Sequence, residues 1–278
     1  MEGTGNAALA FDLARIAIRL DDAAGNPDAQ PDAVVVNASA GDDNLLIRSL
    51  AVGRALALAC AQHGATVVLL GRGVKKLEAV YDEIELAGYP KPAAVPLDLE
   101  KASDADFERV AAAITEQLGR LDGIVHCAAA FLGLFPLEQE SLDYWLKALR
   151  VNVAAPAALT RAALPLLKAS PDASVVYMSE THGHTATAYW GGFSTSKHAG
   201  AFWAQIAAHE WDNLPNFRIN TVIPGPVQSP QRTKTHPGEE KAALPDAASL
   251  MPALLYLLGP DSKGQSGQTI DCAALRTA

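Results

Sequence analysis

Short apolar, β-branched runs alternate along the chain with longer stretches of helical periodicity. The runs are AVVVN (33–37), ATVVLLG (65–71), PAAVPLDL (92–99), LDGIVHCA (121–128), SVVYMS (174–179), FRINTVI (217–223) and GQTIDC (267–272). Between them, helical patterns cover about 50–63, 74–87, 103–118, 139–168, 190–213 and 246–258. Strands that are apolar on both faces and alternate with helices predict a parallel sheet covered on both sides. The expected architecture is a single doubly wound α/β domain of about seven strands, in which ligands bind at the carboxyl ends of the strands.

Residues 1–32 fall outside that rhythm. Leu9, Leu13, Ile16 and Leu20 share one helical face, Asp12, Arg15 and Arg19 lie elsewhere, and GNPDAQP (25–31) ends the pattern with Gly and Pro. We read an added amphipathic helix and linker over 1–32, packed on its own domain or on another subunit, ahead of the main domain at 33–278.

Composition narrows the function classes. At 278 residues, 49% hydrophobic and 19% charged, the chain suits one domain with a full core. A formal net charge of −9 weighs against nucleic acid or an anionic membrane as the main partner. Cys60, Cys127 and Cys272 are odd in number and widely spaced, which indicates neither a disulfide framework nor a zinc site, and each reads as a small core residue. No apolar run approaches the ~20 residues that span a bilayer, so a cytoplasmic setting is expected.

The first strand should lead into a glycine-rich turn whose amides and following helix hold a pyrophosphate. Here VVVNASAG leads into DDNLLIRSLA (42–51) before Val52-Gly53, and residues 52–72 then supply a small-residue helix and a second strand ending in Gly71-Arg72. Asp42 and Asp43 would repel phosphate if they lay beside that turn. Further on, GGFSTSKHAGA (191–201) sets Lys197 four residues after Phe193, one helical turn apart on the same face. A tyrosine at 193 would form a phenol–ammonium acid/base pair. Phenylalanine has no proton to give.

Taken with LDLE (97–100), HCAAA (126–130), VNV (151–153) and IPGPV (223–227), these motifs resemble the short-chain dehydrogenase/reductase family over about residues 33–272. The resemblance implies a Rossmann-type fold and NADP(H)-dependent carbonyl/alcohol oxidoreduction. Val36 and Asn37 occupy the first two places of the family's Gly-rich turn, Ala38, Ser39 and Gly41 its middle, and Gly53 its last place. Arg72 matches the residue that meets a 2′-phosphate, and Asp98 the acid on the adenine edge. Cys127, Ala128 and Ala129 stand in the Asn-Ala-Gly place, with Cys for Asn and the extra bulk of Ala for Gly. Asn152 matches the Asn that kinks the central helix and holds a proton-relay water, and Pro224-Gly225 the turn lining the nicotinamide pocket.

At the active centre the resemblance puts Lys197 in the place of the catalytic Lys, Phe193 in that of the Tyr and Glu180 in that of the Ser, unless Ser179 or Thr181 shifts to serve. Glu180 could supply a proton from a desolvated carboxyl group or form an ion pair with Lys197, and the pair is preferred. His182 and His184 are expected at the pocket mouth or in solvent, without a completed metal ligand set. His126 is expected as a satisfied interior histidine. The loop 226–245, which would enclose a substrate, carries no recognisable chemistry.

Two function classes follow. In one, the chain is a divergent NADP(H)-type oxidoreductase of small molecules, with Lys197, Asn152 and Glu180 forming a remodelled proton path and classical activity weak or lost. In the other, it is a non-catalytic ligand-sensing or partner-binding member of the fold. A homodimer or homotetramer through the helices at 139–168 and 190–213 is expected in either case.

Overall fold

Seven parallel strands form one sheet in the order β3-β2-β1-β4-β5-β6-β7. A computed structural model of the chain describes residues 33–37 and 48–277; the expected helix and linker at 1–32, together with Ser39, Gly41 and Asp42–Asp43, lie outside the described residues. The elements follow as β1 (Ala33–Asn37), α1 (Arg48–Gln62), β2 (Thr66–Gly71), α2 (Val74–Leu86), β3 (Ala93–Pro96), α3 (Asp104–Leu118), β4 (Gly123–His126), α4 (Leu142–Leu149), α5 (Ala155–Ala169), β5 (Ala173–Met178), α6 (Gly191–Glu210), β6 (Phe217–Ile223), α7 (Pro230–Thr235), α8 (Met251–Leu258), β7 (Thr269–Asp271) and α9 (Cys272–Thr277). The expected doubly wound fold is observed, with its switch point between β1 and β4, each of which pairs in register with the other (Val35 with Ile124).

The strand period of two divides the core. Val35 faces one layer with Phe107, Leu159, Ala204 and Ile219, beneath α3, α5 and α6. Its neighbours Val34 and Val36 face the other, with Leu56, Leu77 and Leu254 beneath α1, α2 and α8. β4, β5 and β6 are buried along their whole length, whereas the edge strands β3 and β7 alternate. Two-sided burial is what the unbroken apolar runs require, each fully buried Leu or Ile contributing about 1.5–3 kcal/mol. All three cysteines are buried in this core, and none of them forms a disulfide.

Three local differences from the sequence pattern matter for the site. The helix expected at 139–168 is interrupted by a π-turn at Arg150–Ala154, centred on Asn152, between α4 and α5. α1 begins at Arg48, so Gly53 lies inside the helix rather than at its entry, and residues 48–51 are helix rather than inserted loop. Within the loop 226–245, Pro230–Thr235 forms α7; Ser229 caps it by accepting from the Arg232 N–H at 3.1 Å, and Pro230 fits the first turn.

Candidate active site

The carboxyl ends of β4, β5 and β6 converge on a cleft lined by Cys127, Ala129, Met178, Ser179, Glu180, Phe193, Lys197, Pro224 and Gln231, with Val52 of α1 on its wall. The residues aligned at the active centre from separate motifs are thus brought together, Phe193 and Lys197 from α6 and Glu180 from the end of β5. Pro224 reaches the cleft from a turn after β6 in which Gly225 has φ of 67°, a left-handed backbone that suits glycine.

α6 presents Phe193 and Lys197 because its N-terminus is held in place. The backbone N–H of Gly192 donates to the Glu140 carboxylate at 2.9 Å, which satisfies an end donor and places negative charge at the positive end of the helix dipole. Phe193 is 1% exposed. Its ring meets Phe131 edge-on with centroids 5.0 Å apart and lies 6.1 Å from Trp190. A benzyl group in that aromatic cluster is held by dispersion, with no polar end to satisfy. Tyr189, the nearest tyrosine in sequence, is 57% exposed and does not line the cleft.

Lys197 is buried, and its ammonium donates to the Met178 carbonyl at 2.7 Å. The same Nζ lies 5.2 Å from the centroid of the Tyr177 ring, within range of a cation–π contact. Glu180 is 3% exposed in the same cleft. Ser179 is positioned by His184, whose Nε2 lies 3.0 Å from the Ser179 hydroxyl. Burial and the neighbouring His198 hold the His184 pKa below its usual range, against an opposing pull from Asp271. His182 stacks on Trp190 with centroids 3.9 Å apart and faces His236 at 6.2 Å. Among the described residues, no group of three or more His, Cys, Asp or Glu side chains is arranged to hold a metal ion.

Asn152 is fully buried in its π-turn. Its Oδ1 accepts from Ala130 N at 2.7 Å, and its Nδ2 donates to Ala130 O at 3.2 Å and to Ser196 Oγ at 2.9 Å. The side chain therefore ties the loop after β4 and α6 to the π-turn between α4 and α5. Its backbone carbonyl, freed by the π-turn, accepts the Tyr177 hydroxyl at 2.8 Å. Nothing in the apolar run SVVYMS signals where the Tyr177 phenol goes.

The remaining matched residues divide into two groups. Arg72 and Asp98 follow β2 and β3, whose ends pair through Gly71 and Pro96, so both stand at the carboxyl ends of the strands at one edge of the sheet. Asp98 Oδ1 accepts from Glu100 N at 3.1 Å. Cys127 lines the cleft, and burial pushes its thiol up to about 12, against a lowering pull from Lys197, so it stays neutral. Ala128, in contrast, packs into the core and not into the cleft. His126 is not fully satisfied as expected: Nε2 lies 2.9 Å from Thr160 Oγ1, but Nδ1 has no partner. The loop read as carrying no chemistry places Gln231 in the cleft. The Ser-Pro start of α7 was the available signal.

Residues 48–272 match a family described as enoyl-(acyl carrier protein) reductase. The chain is 34% identical over 220 residues to the uncharacterized oxidoreductase YciK of Escherichia coli K12, covering 79% of this chain and 86% of that protein. It superposes on a short chain dehydrogenase from Salmonella enterica serovar Typhi with a TM-score of 0.79 and 33% identity, over 87% of this chain and 96% of that one. A short chain dehydrogenase of Escherichia coli CFT073, solved in complex with NADPH, gives the same TM-score of 0.79 at 33% identity, again over 87% and 96%. A seven-stranded doubly wound sheet, a π-turn at the matched asparagine, a buried lysine one turn beyond position 193 and these similarities agree: the chain belongs to the short-chain dehydrogenase/reductase family of oxidoreductases.

Proposed function

We propose that the chain is an NADP(H)-type carbonyl/alcohol member of this family in which tyrosine-dependent proton transfer is weak or lost. The observation that carries the reading is Phe193 in the cleft beside Lys197, at the place where a phenol would give or take the proton. When bound, NADPH supplies a hydride to a carbonyl carbon. The cradle suits such a dinucleotide at its ribose and nicotinamide end, where the Pro224-Gly225 turn, Cys127 and Lys197 meet, and Arg72 stands at the end of β2 to meet a 2′-phosphate. NADP and NADPH accompany structures similar to this chain.

What the side chains do here differs from a phenol relay. The Lys197 ammonium holds the Met178 carbonyl, and the Tyr177 hydroxyl holds the backbone carbonyl of Asn152, the residue to which the family resemblance gives a relay water. A positioned general acid is worth ~10²–10⁴ in rate, about 3–5 kcal/mol of barrier. Its absence leaves a protein that can bind and orient a ligand with little means of protonating it. The Tyr177–Asn152 bond favours a second reading, a ligand-sensing or partner-binding protein without turnover. Leu142 and Leu146 on α4 and Phe202 and Ile206 on α6 are exposed apolar residues that suit assembly as a homodimer or homotetramer through these helices, which light scattering would test.

The discriminating experiment is a titration with NADPH and NADH read by cofactor fluorescence and melting temperature, followed by Phe193→Tyr. A shift with NADPH and a gain of carbonyl reduction in the variant are expected. No shift at millimolar NADPH overturns the cofactor reading; binding with no gain in the variant leaves the sensing reading.

A further inference from the structure

The cleft contains a polar group that neither the aligned active centre nor the folded core employs. Gln231, on α7, is 5% exposed and lines the cleft, and its Nε2 has no hydrogen-bond partner. Folded proteins pair nearly all buried N–H groups, because a donor stripped of water and left unmatched is destabilising. An unmatched amide at a cavity wall therefore points to an acceptor that arrives with a ligand.

The neighbouring side chains indicate which acceptor. At the two places where the family resemblance puts hydroxyls on a substrate oxygen, this chain has the benzyl group of Phe193 and the carboxyl group of Glu180. The Lys197 ammonium is directed to the Met178 carbonyl. We infer that Gln231 has taken over the anchoring of the ligand oxygen: its amide donates to the carbonyl of an aldehyde or ketone whose apolar body packs on Phe193 and Met178. This rests on the reading of the cleft as a carbonyl/alcohol site. A neutral amide holds an oxygen without releasing a proton, so Gln231 determines specificity and not acid–base chemistry. The backbone carries the same assignment, since the Ser229 cap sets the start of α7 and the Thr235 hydroxyl donates to Gln231 O at 3.2 Å, holding the short helix in place.

The test uses two probes of one shape, cyclohexanone and methylenecyclohexane, titrated against the full chain by ligand-observed NMR with and without NADPH, beside a separate NADPH titration. The wild-type protein is expected to prefer the ketone by about fivefold, the weight of one hydrogen bond between neutral groups. Gln231→Leu should bring that ratio to about one while leaving methylenecyclohexane binding and NADPH affinity unchanged. Gln231→Met keeps the length of the side chain and has no donor at any pH, so it should do the same and serves if the Leu variant unfolds. Equal affinity for the two probes in the wild type, no binding of either, or a preference that survives both substitutions overturns the inference. Failure of NADPH to bind removes the cofactor reading and leaves the ketone-to-alkene ratio to judge Gln231.

Discussion

Gly200 and Tyr177 are fitted to one another: a Cβ built on Gly200 would lie 2.1 Å from the Tyr177 hydroxyl and 2.3 Å from Cζ. The absent side chain on α6 is what lets the phenol cross from β5 and reach the Asn152 carbonyl. Gly200→Ala would gain up to about 1 kcal/mol of helix propensity and would lose more to the displaced ring, since overpacking costs about 1–3 kcal/mol. The expected outcome in urea unfolding is a net loss of stability, reduced when Tyr177→Leu is combined with it. An alanine variant at least as stable as the wild type would show that the ring can move freely.

Arg218 offers a second test. It is 2% exposed and donates from Nε to Ser262 Oγ at 2.7 Å, from Nη2 to Leu258 O at 3.1 Å and Gly259 O at 2.7 Å, and from Nη1 to Asp172. The guanidinium therefore joins the start of β6 to the end of α8. Arg218→Met strips the guanidinium's hydrogen bonds from this network, leaving Asp172 only the Lys263 ammonium and Gly259 O only Ser262, and a loss of about 3 kcal/mol is expected, as for other broken buried ion pairs. A loss under about 1 kcal/mol in denaturant melts would mean that water replaces the guanidinium.

His126 links the core to pH. Burial first, and the Lys197 charge second, lower its pKa from 6.5 to about 3. Above pH 6.5 the folded and unfolded chains both carry it neutral, and it contributes no pH dependence. Between 6.5 and about 3 the unfolded chain binds a proton that the folded chain does not. Stability therefore falls on acidification through that window by up to about 1.4 kcal/mol per pH unit. His126→Gln should flatten the stability profile there by the same slope. Parallel profiles for the two proteins would place the proton elsewhere.

Glu180 and Lys197, both buried in one cleft, are proposed as an ion pair. Glu180→Gln then leaves a buried ammonium short of its counter-charge, and the melting temperature at neutral pH should drop. An unchanged melting temperature across pH would remove the pairing and favour a carboxyl group that acts on the ligand.

Periodicity and residue type alone specified the parallel sheet, the two-sided core, and Phe193 and Lys197 on one face of α6, whereas the helix irregularity at Asn152 followed only from the family resemblance and contradicts the unbroken helix read over 139–168. The first three are consequences of chain-local geometry: a strand alternates every residue, a helix turns every 3.6, and a spacing of four is a spacing of one turn. A boundary was less legible where a cap decides it, as at Pro230 in α7, because one side-chain hydrogen bond moves a helix end at almost no cost in pattern. Contacts between distant segments were not legible at all. That Tyr177 closes on the Asn152 carbonyl, that Gly200 makes room for it, and that Gln231 enters the cleft with an unmatched amide depend on segments far apart along the chain being packed together, and only the folded chain sets which polar groups lose water and which find a partner.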